Sequence, residues 1–194
     1  MEKIDQAIRL LQEIKAELVG DTSPAADTNR TVVWGSKVSP VFKDRLFWLC
    51  DELKINPDYL MACIAFESGE TFRADIKNMA GSGATGLIQF MPSTALGLGT
   101  TTAKLAQMTP EDQLNFVYKY FRPYSGRLQT LEDTYMAILL PTQVGRPLES
   151  VLFSGGVAYR QNSGLDANRD GKVTKAEASS KVREKLVKGE QYRG

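Results

Sequence analysis

The sequence predicts a mainly α-helical domain, on three observations. Apolar residues recur at helical spacing from residue 41 onward. Helix-start signals stand in front of several of these runs. No stretch alternates apolar and polar residues as a half-buried strand does. No internal repeat is visible. Of 194 residues, 42% are hydrophobic and 24% charged, a globular composition long enough for one domain with an appendage.

Residues 2–19 read as an amphipathic helix, with Ile4, Ala7, Leu11, Ile14 and Leu18 spaced by three and four among Glu, Lys, Arg and Gln. Two readings stand for it: a helix docked on its own domain, or a short coiled coil joining a second copy or a partner. Gly20 to Pro40 is rich in Asp, Thr, Ser, Gly and Pro and reads as a linker, interrupted by Val32, Val33 and Trp34, an apolar trio that could dock on the domain. The expected organisation is therefore a helix over 1–20, a linker over 21–40 and a domain over 41–194. Within the domain, Phe42, Leu46, Leu49 and Leu53 share one helical face. Asn56 and Pro57 then open a second helix as N-cap and first-turn proline, and Gly69 stops it. Residues 76–103 hold five glycines and read as a long loop or a run of short elements. Thr109 and Pro110 start another helix with Leu114, Val117, Tyr118 and Phe121 inward. LEDTYMAILL is a buried helix broken at Pro141.

Charge and composition exclude several functions. The formal net charge is +1, which gives no argument for a nucleic-acid partner. There is no histidine, so carboxylates are the expected acid–base groups. Cys50 and Cys63 sit among apolar neighbours and read as reduced core thiols. No apolar run reaches membrane-spanning length, and the N-terminus lacks a signal-peptide core, so synthesis in the cytoplasm without a cleaved signal is expected.

The residue that draws chemistry is Glu67. It closes LMACIAFE on the stripe that carries Leu60, Cys63 and Ile64. An apolar setting penalises an ionised carboxyl and raises its pKa, as a general acid for glycosidic cleavage requires. Spacing alone equally allows a glutamate that reaches solvent at a helix end. The neighbourhood adds more. Glu67-Ser68, then Gly86-Leu87-Ile88-Gln89-Phe90-Met91-Pro92, resembles the soluble lytic transglycosylase family, which shares the goose-type lysozyme-like fold. The resemblance covers roughly residues 41–147. It departs at the third family motif, where Tyr135 matches the family tyrosine but Met136 replaces asparagine.

The resemblance implies a lysozyme-like fold and cleavage of the β-1,4 bond between N-acetylmuramic acid and N-acetylglucosamine in peptidoglycan, with a 1,6-anhydro product. It implies Glu67 as catalytic acid and then base. It places Ser68, Gln89, Phe90 and Met91 along the sugar subsites and Tyr135 beside Glu67, and implies an altered subsite at Met136. Independently, no Asp or Glu occurs from Ile76 to Pro110, and ring closure by the sugar's own hydroxyl needs no second carboxylate. Asp75, Glu132 or Asp133 could still supply one, which would make a hydrolytic lysozyme. A non-catalytic glycan-binding component is the rival class. Proteins of this kind resemble phage components, so a virion tail or baseplate location with tail proteins as partners is expected.

Residues 166–177, DANRDGKVTKAE, fit an EF-hand loop. Asp166, Asn168 and Asp170 take positions 1, 3 and 5, with Gly171 at the turn. Lys172 offers its carbonyl at position 7, Thr174 stands at 9, and Glu177 at 12. A structural Ca2+ is expected there and no cofactor for catalysis. Gly164 argues against a regular incoming helix.

Overall fold

A computed structural model describes residues 30–78 and 81–194. The chain divides into two compact units, Met1–Arg30 and Thr31–Gly194, and all the helices and strands named below lie in the second. The amphipathic helix predicted over 2–19 and the linker residues up to 29 lie outside the described residues.

The domain is mainly helical. Helix α1 (Pro40–Leu53) buries Phe42, Leu46, Leu49 and Leu53, the face the spacing predicts, and starts on Ser39, whose Oγ accepts from the Phe42 N–H. Helix α2 (Pro57–Glu67) starts on Asn56, whose side chain accepts from the Asp58 N–H. Short helices α3 (Pro92–Gly97) and α4 (Thr102–Leu105) follow. Next come α5 (Pro110–Phe121) and α6 (Leu131–Leu139), both capped by a threonine side chain. A two-stranded antiparallel ribbon joins β1 (Val151–Ser154) to β2 (Lys172–Thr174), with Val151 opposite Thr174 and an irregularity before Phe153. Between the strands lies α7 (Gly156–Asn162), and α8 (Lys175–Gly189) closes the domain. Among the described residues, no helix is long and apolar enough to cross a membrane.

Helix α2 is the centre of the domain. The sequence predicts a stripe, but Leu60 through Ala65 are all buried, so the helix is apolar on every side. It packs on α8, α6 and α1. Two apolar clusters meet on it: one runs through α1, α5 and the 87–95 segment, the other gathers Ala62, Cys63, Leu131, Tyr135, Met136, Val173, Ala178 and Val182.

Segment 31–34 is not linker-like. Val32, Val33 and Trp34 are buried, the Val33 N–H donates to Asp58 Oδ1 at 2.9 Å, and Trp34 Nε1 donates to the Lys185 carbonyl at 2.9 Å. The indole stacks on Tyr192 at 5.0 Å and meets Phe72 at 5.9 Å. Gly189 has no room for a side chain, because a Cβ there would lie 2.5 Å from Trp34 Nε1. The interruption noticed in the linker is thus a strip of core, and the packed domain starts nearer residue 31 than 41. Trp34→Ala is expected to lower stability by about 3–5 kcal/mol, measured by chemical denaturation. A loss below about 1 kcal/mol would mean that the strip only rests on the surface.

Candidate active site

The last residue of α2 is Glu67, and the helix ends at once. Gly69 adopts φ 61°; its N–H bonds the Phe66 carbonyl at 3.3 Å, and the Glu70 N–H bonds the Ala65 carbonyl at 2.7 Å. That pair of bonds is a Schellman stop with Gly69 at its left-handed position. The Glu67 residue is half-buried, and desolvation pushes its carboxyl from the ordinary 4.5 up to about 7. No hydrogen bond or cation offsets that desolvation.

Three neutral groups face it. The Cys63 thiol, on α2, is pushed well up by burial and then by Glu67. Tyr120, on α5, is pushed up to about 12 by burial, Tyr124 and Glu67. Tyr135, on α6, is raised by burial, then by Glu67 and Cys63. Tyr135 is buried and meets Phe66 edge-on at 5.5 Å. It faces Glu67 electrostatically, and no hydrogen bond joins the two among the described residues.

Acids that could serve as a second carboxylate are engaged elsewhere. Arg73 grips Asp75 at the surface with bonds of 2.9 and 2.7 Å. Glu132 contacts Arg183. Asp133 takes the buried Lys175 ammonium at 2.6 Å and the Gly145 N–H at 2.7 Å.

The Gly86–Phe90 segment is a tight turn closed by mutual Thr85–Phe90 bonds of 3.1 and 2.9 Å. Gln113 of α5 holds it in place. This side chain is fully buried; Oε1 accepts from the Leu87 N–H at 2.7 Å, and Nε2 donates to the Ala74 and Leu105 carbonyls at 3.0 Å. Gly86 must be glycine twice over: its φ is +88°, and a Cβ would lie 2.2 Å from Gln113 Oε1. Gln89 has φ 51° and donates Nε2 to the Ile76 and Gly86 carbonyls, which leaves Oε1 as its acceptor. A small cleft opens beside this turn, lined by Gln89, Phe90, Met91, Thr94, Tyr120 and Ile138.

The predicted subsite residues separate accordingly. Met91 is 45% exposed at the start of α3, and Gln89 is half-buried. Phe90 is buried with its ring edge-on to Tyr120, so it backs the cleft rather than offering an open face. Ser68 departs from expectation: it is 1% exposed, and its Oγ accepts from the Phe72 N–H at 3.1 Å, so it shapes the turn from inside. Met136 is also fully buried, among Ala62, Cys63, Val173 and Ala178, where a thioether suits the core.

Sequence reasoning missed Gln113 and Tyr120. The signal for Gln113 was present, because it lies four residues before Val117 on the apolar stripe of α5. Tyr120 sits next to Phe121 and reads as outward; its hydroxyl instead donates to the Ala137 carbonyl at 2.6 Å and bridges α5 to α6.

Loop 166–177 folds through its own side chains. Asp166 accepts from the Arg169 and Gly171 N–H groups and from the Tyr159 hydroxyl at 2.7–3.0 Å. Asn168 accepts from the Asp170 N–H and Asp170 from the Lys172 N–H, each at 2.9 Å. Glu177 accepts from Thr174 and makes a capping box for α8. An incoming helix is present after all: α7 ends at Asn162, and a 3-10 turn over Ser163–Leu165 absorbs Gly164. Among the described residues, no three acidic, histidine or cysteine side chains gather closely enough to form a metal cage. The donor set is nonetheless all oxygen, which suits a hard cation.

Residues 50–139 match the family model described as transglycosylase SLT domain. A comparison with curated proteins gives no match. We expect Gln113→Leu, which keeps the volume but strands the buried Leu87 N–H and the Ala74 carbonyl while Leu105 keeps its bond from the Met108 N–H, to cost about 3 kcal/mol and to speed hydrogen exchange at the Leu87 amide. Wild-type protection at Leu87 would sink this account of the turn.

Proposed function

We propose, from the transglycosylase SLT domain that residues 50–139 form, that the protein is a peptidoglycan lytic transglycosylase whose acid is Glu67. The observation that carries the reading is the desolvated carboxyl at the end of α2, with its pKa pushed up to about 7. At or below that pH, Glu67 holds the proton that the glycosidic oxygen needs as its bond to C1 breaks. The resulting carboxylate then takes the proton of the muramic 6-hydroxyl, whose oxygen closes on C1. Water is not consumed, and the product is the 1,6-anhydro sugar. The engagement of Glu70, Asp75, Glu132 and Asp133 with their own cations supports this over hydrolysis, because among the described residues these candidate second carboxylates are each held by a Lys or Arg. Gln89 Oε1, Met91 and Tyr120 are the groups at hand to hold the glycan. A phage tail location rests on the N-terminal sequence and on the resemblance, and is checked by looking for the protein in purified particles.

Loop 166–177 is proposed to take Ca2+ as a structural ion through Asp166, Asn168, Asp170, the Lys172 carbonyl, Thr174 and Glu177. The cation would neutralise the loop's acids and brace β2 against α8.

Glu67→Gln should lose at least about a hundredfold in kcat, and mass spectrometry of wild-type digests should show anhydro ends; ordinary reducing ends would indicate hydrolysis instead. The activity should fall as pH rises through about 7, where Glu67 loses its proton. Stability follows the same sign. The folded pKa lies above the unfolded one, so the contribution of Glu67 is full below about 4.5 and is lost as pH rises through about 7. Glu67→Gln should therefore be more stable than wild type at pH 8, by up to about 3 kcal/mol. For the loop, calorimetry should show Ca2+ binding that Asp166→Ala abolishes; no heat at millimolar Ca2+ would remove the ion.

A further inference from the structure

The residues just after Glu67 are strained. Glu70 has φ 65° and Phe72 φ 54°, two left-handed non-glycine residues within three positions, one of them bulky. Such conformations persist where surrounding contacts over-determine them, and they gather at functional sites. Here the contacts are visible. Phe72 is buried against Trp34, and its N–H bonds Ser68 Oγ. Glu70 reaches across the fold to α8, with Oε1 2.5 Å from Lys185 Nζ and Oε2 2.6 Å from Lys188 Nζ, one lysine to each oxygen.

We propose that Glu70 is a positioning residue for Glu67: gripped by Lys185 and Lys188, it locks the left-handed turn that ends α2 and so sets where the Glu67 carboxyl lies. The inference rests on the reading of Glu67 as the acid. Three features single out Glu70. Its N–H makes the longer-reaching bond of the Schellman stop, to the Ala65 carbonyl, so a shift of Glu70 is a shift of the last turn of α2. Its side chain binds a different helix, 115 positions away in sequence, so the turn is referenced to α8 as well as to α2. And the three side chains are 23%, 28% and 45% exposed. Ion pairs that wet contribute little to stability, so the cluster's effect is on geometry more than on folding.

The test uses variants that keep the fold. Glu70→Asn removes the charge but tolerates the left-handed conformation. Lys185→Met combined with Lys188→Met releases the same grip from the other side. The Glu67 carboxyl is titrated by NMR in each protein, and turnover is measured on peptidoglycan. Cys63, Tyr120 and Tyr135 all stay neutral near pH 7, so the midpoint reports how dry the carboxyl is. In both variants the midpoint should fall from about 7 toward the ordinary carboxylate range, and kcat should drop about tenfold with KM little changed. Glu70→Asp, which keeps the charge, should restore part of both. A midpoint and kcat unchanged from wild type, even with a lower melting temperature, would overturn the proposal. If wild type shows no turnover while the midpoint still moves, the reading of function falls and the positioning role stands.

Discussion

An ionisable group at the dry end of a buried helix is costly to hold, and the rest of this domain is arranged around that cost. Helix α2 is apolar on every side and is covered by α1, α6 and α8. A helix so enclosed places its final residue where water is scarce. Glu67 is that residue, and desolvation alone accounts for its raised pKa. Moved one turn deeper, the carboxyl would face the full penalty of burial; moved past the turn, it would be an ordinary surface acid. The position depends on where the helix stops, which is why the turn over residues 68–72 matters as much as the helix itself.

The turn that carries Gln89 is fixed by a neutral device. One amide, Gln113, joins three segments: the turn at Leu87, the turn at Ala74 and the end of α4 at Leu105. A satisfied amide adds rigidity without net charge. Charges are present, but they are spent at a remove: Lys175 with Asp133 under the 143–146 segment, and Lys185 and Lys188 with Glu70 outside the last turn of α2.

Much of this was legible in the sequence where the cause is local. Asn56, Pro57 and Gly69 mark both ends of α2 because caps and left-handed stops act within a few residues. The buried face of α1 follows from its spacing. What was not legible depends on distant partners. Val32, Val33 and Trp34 stand out of the linker as an apolar trio, but what Trp34 docks against, Lys185 and Tyr192, lies far along the chain. The resemblance sets Ser68 along the sugar subsites, but its hydroxyl turns inward to the Phe72 N–H, a bond that only the fold reveals. Tyr120 gains its role only when α6 offers the Ala137 carbonyl. The incoming helix α7 is short, buries none of its residues and is flanked by glycines, so no periodic signal announces it.

The cover on α2 has an order in time. The Lys185–Glu70 bond closes 115 positions of chain, and the Trp34–Lys185 bond closes 151. A ribosome adding about 5–20 residues per second finishes α2 on the order of ten seconds before it finishes α8. Through that interval the most apolar helix of the protein is made but uncovered, and its carboxyl is an ordinary wet acid. Contacts of such long reach also slow the closing step itself. The dry setting of Glu67 is thereby completed only once α8 has been made and docked.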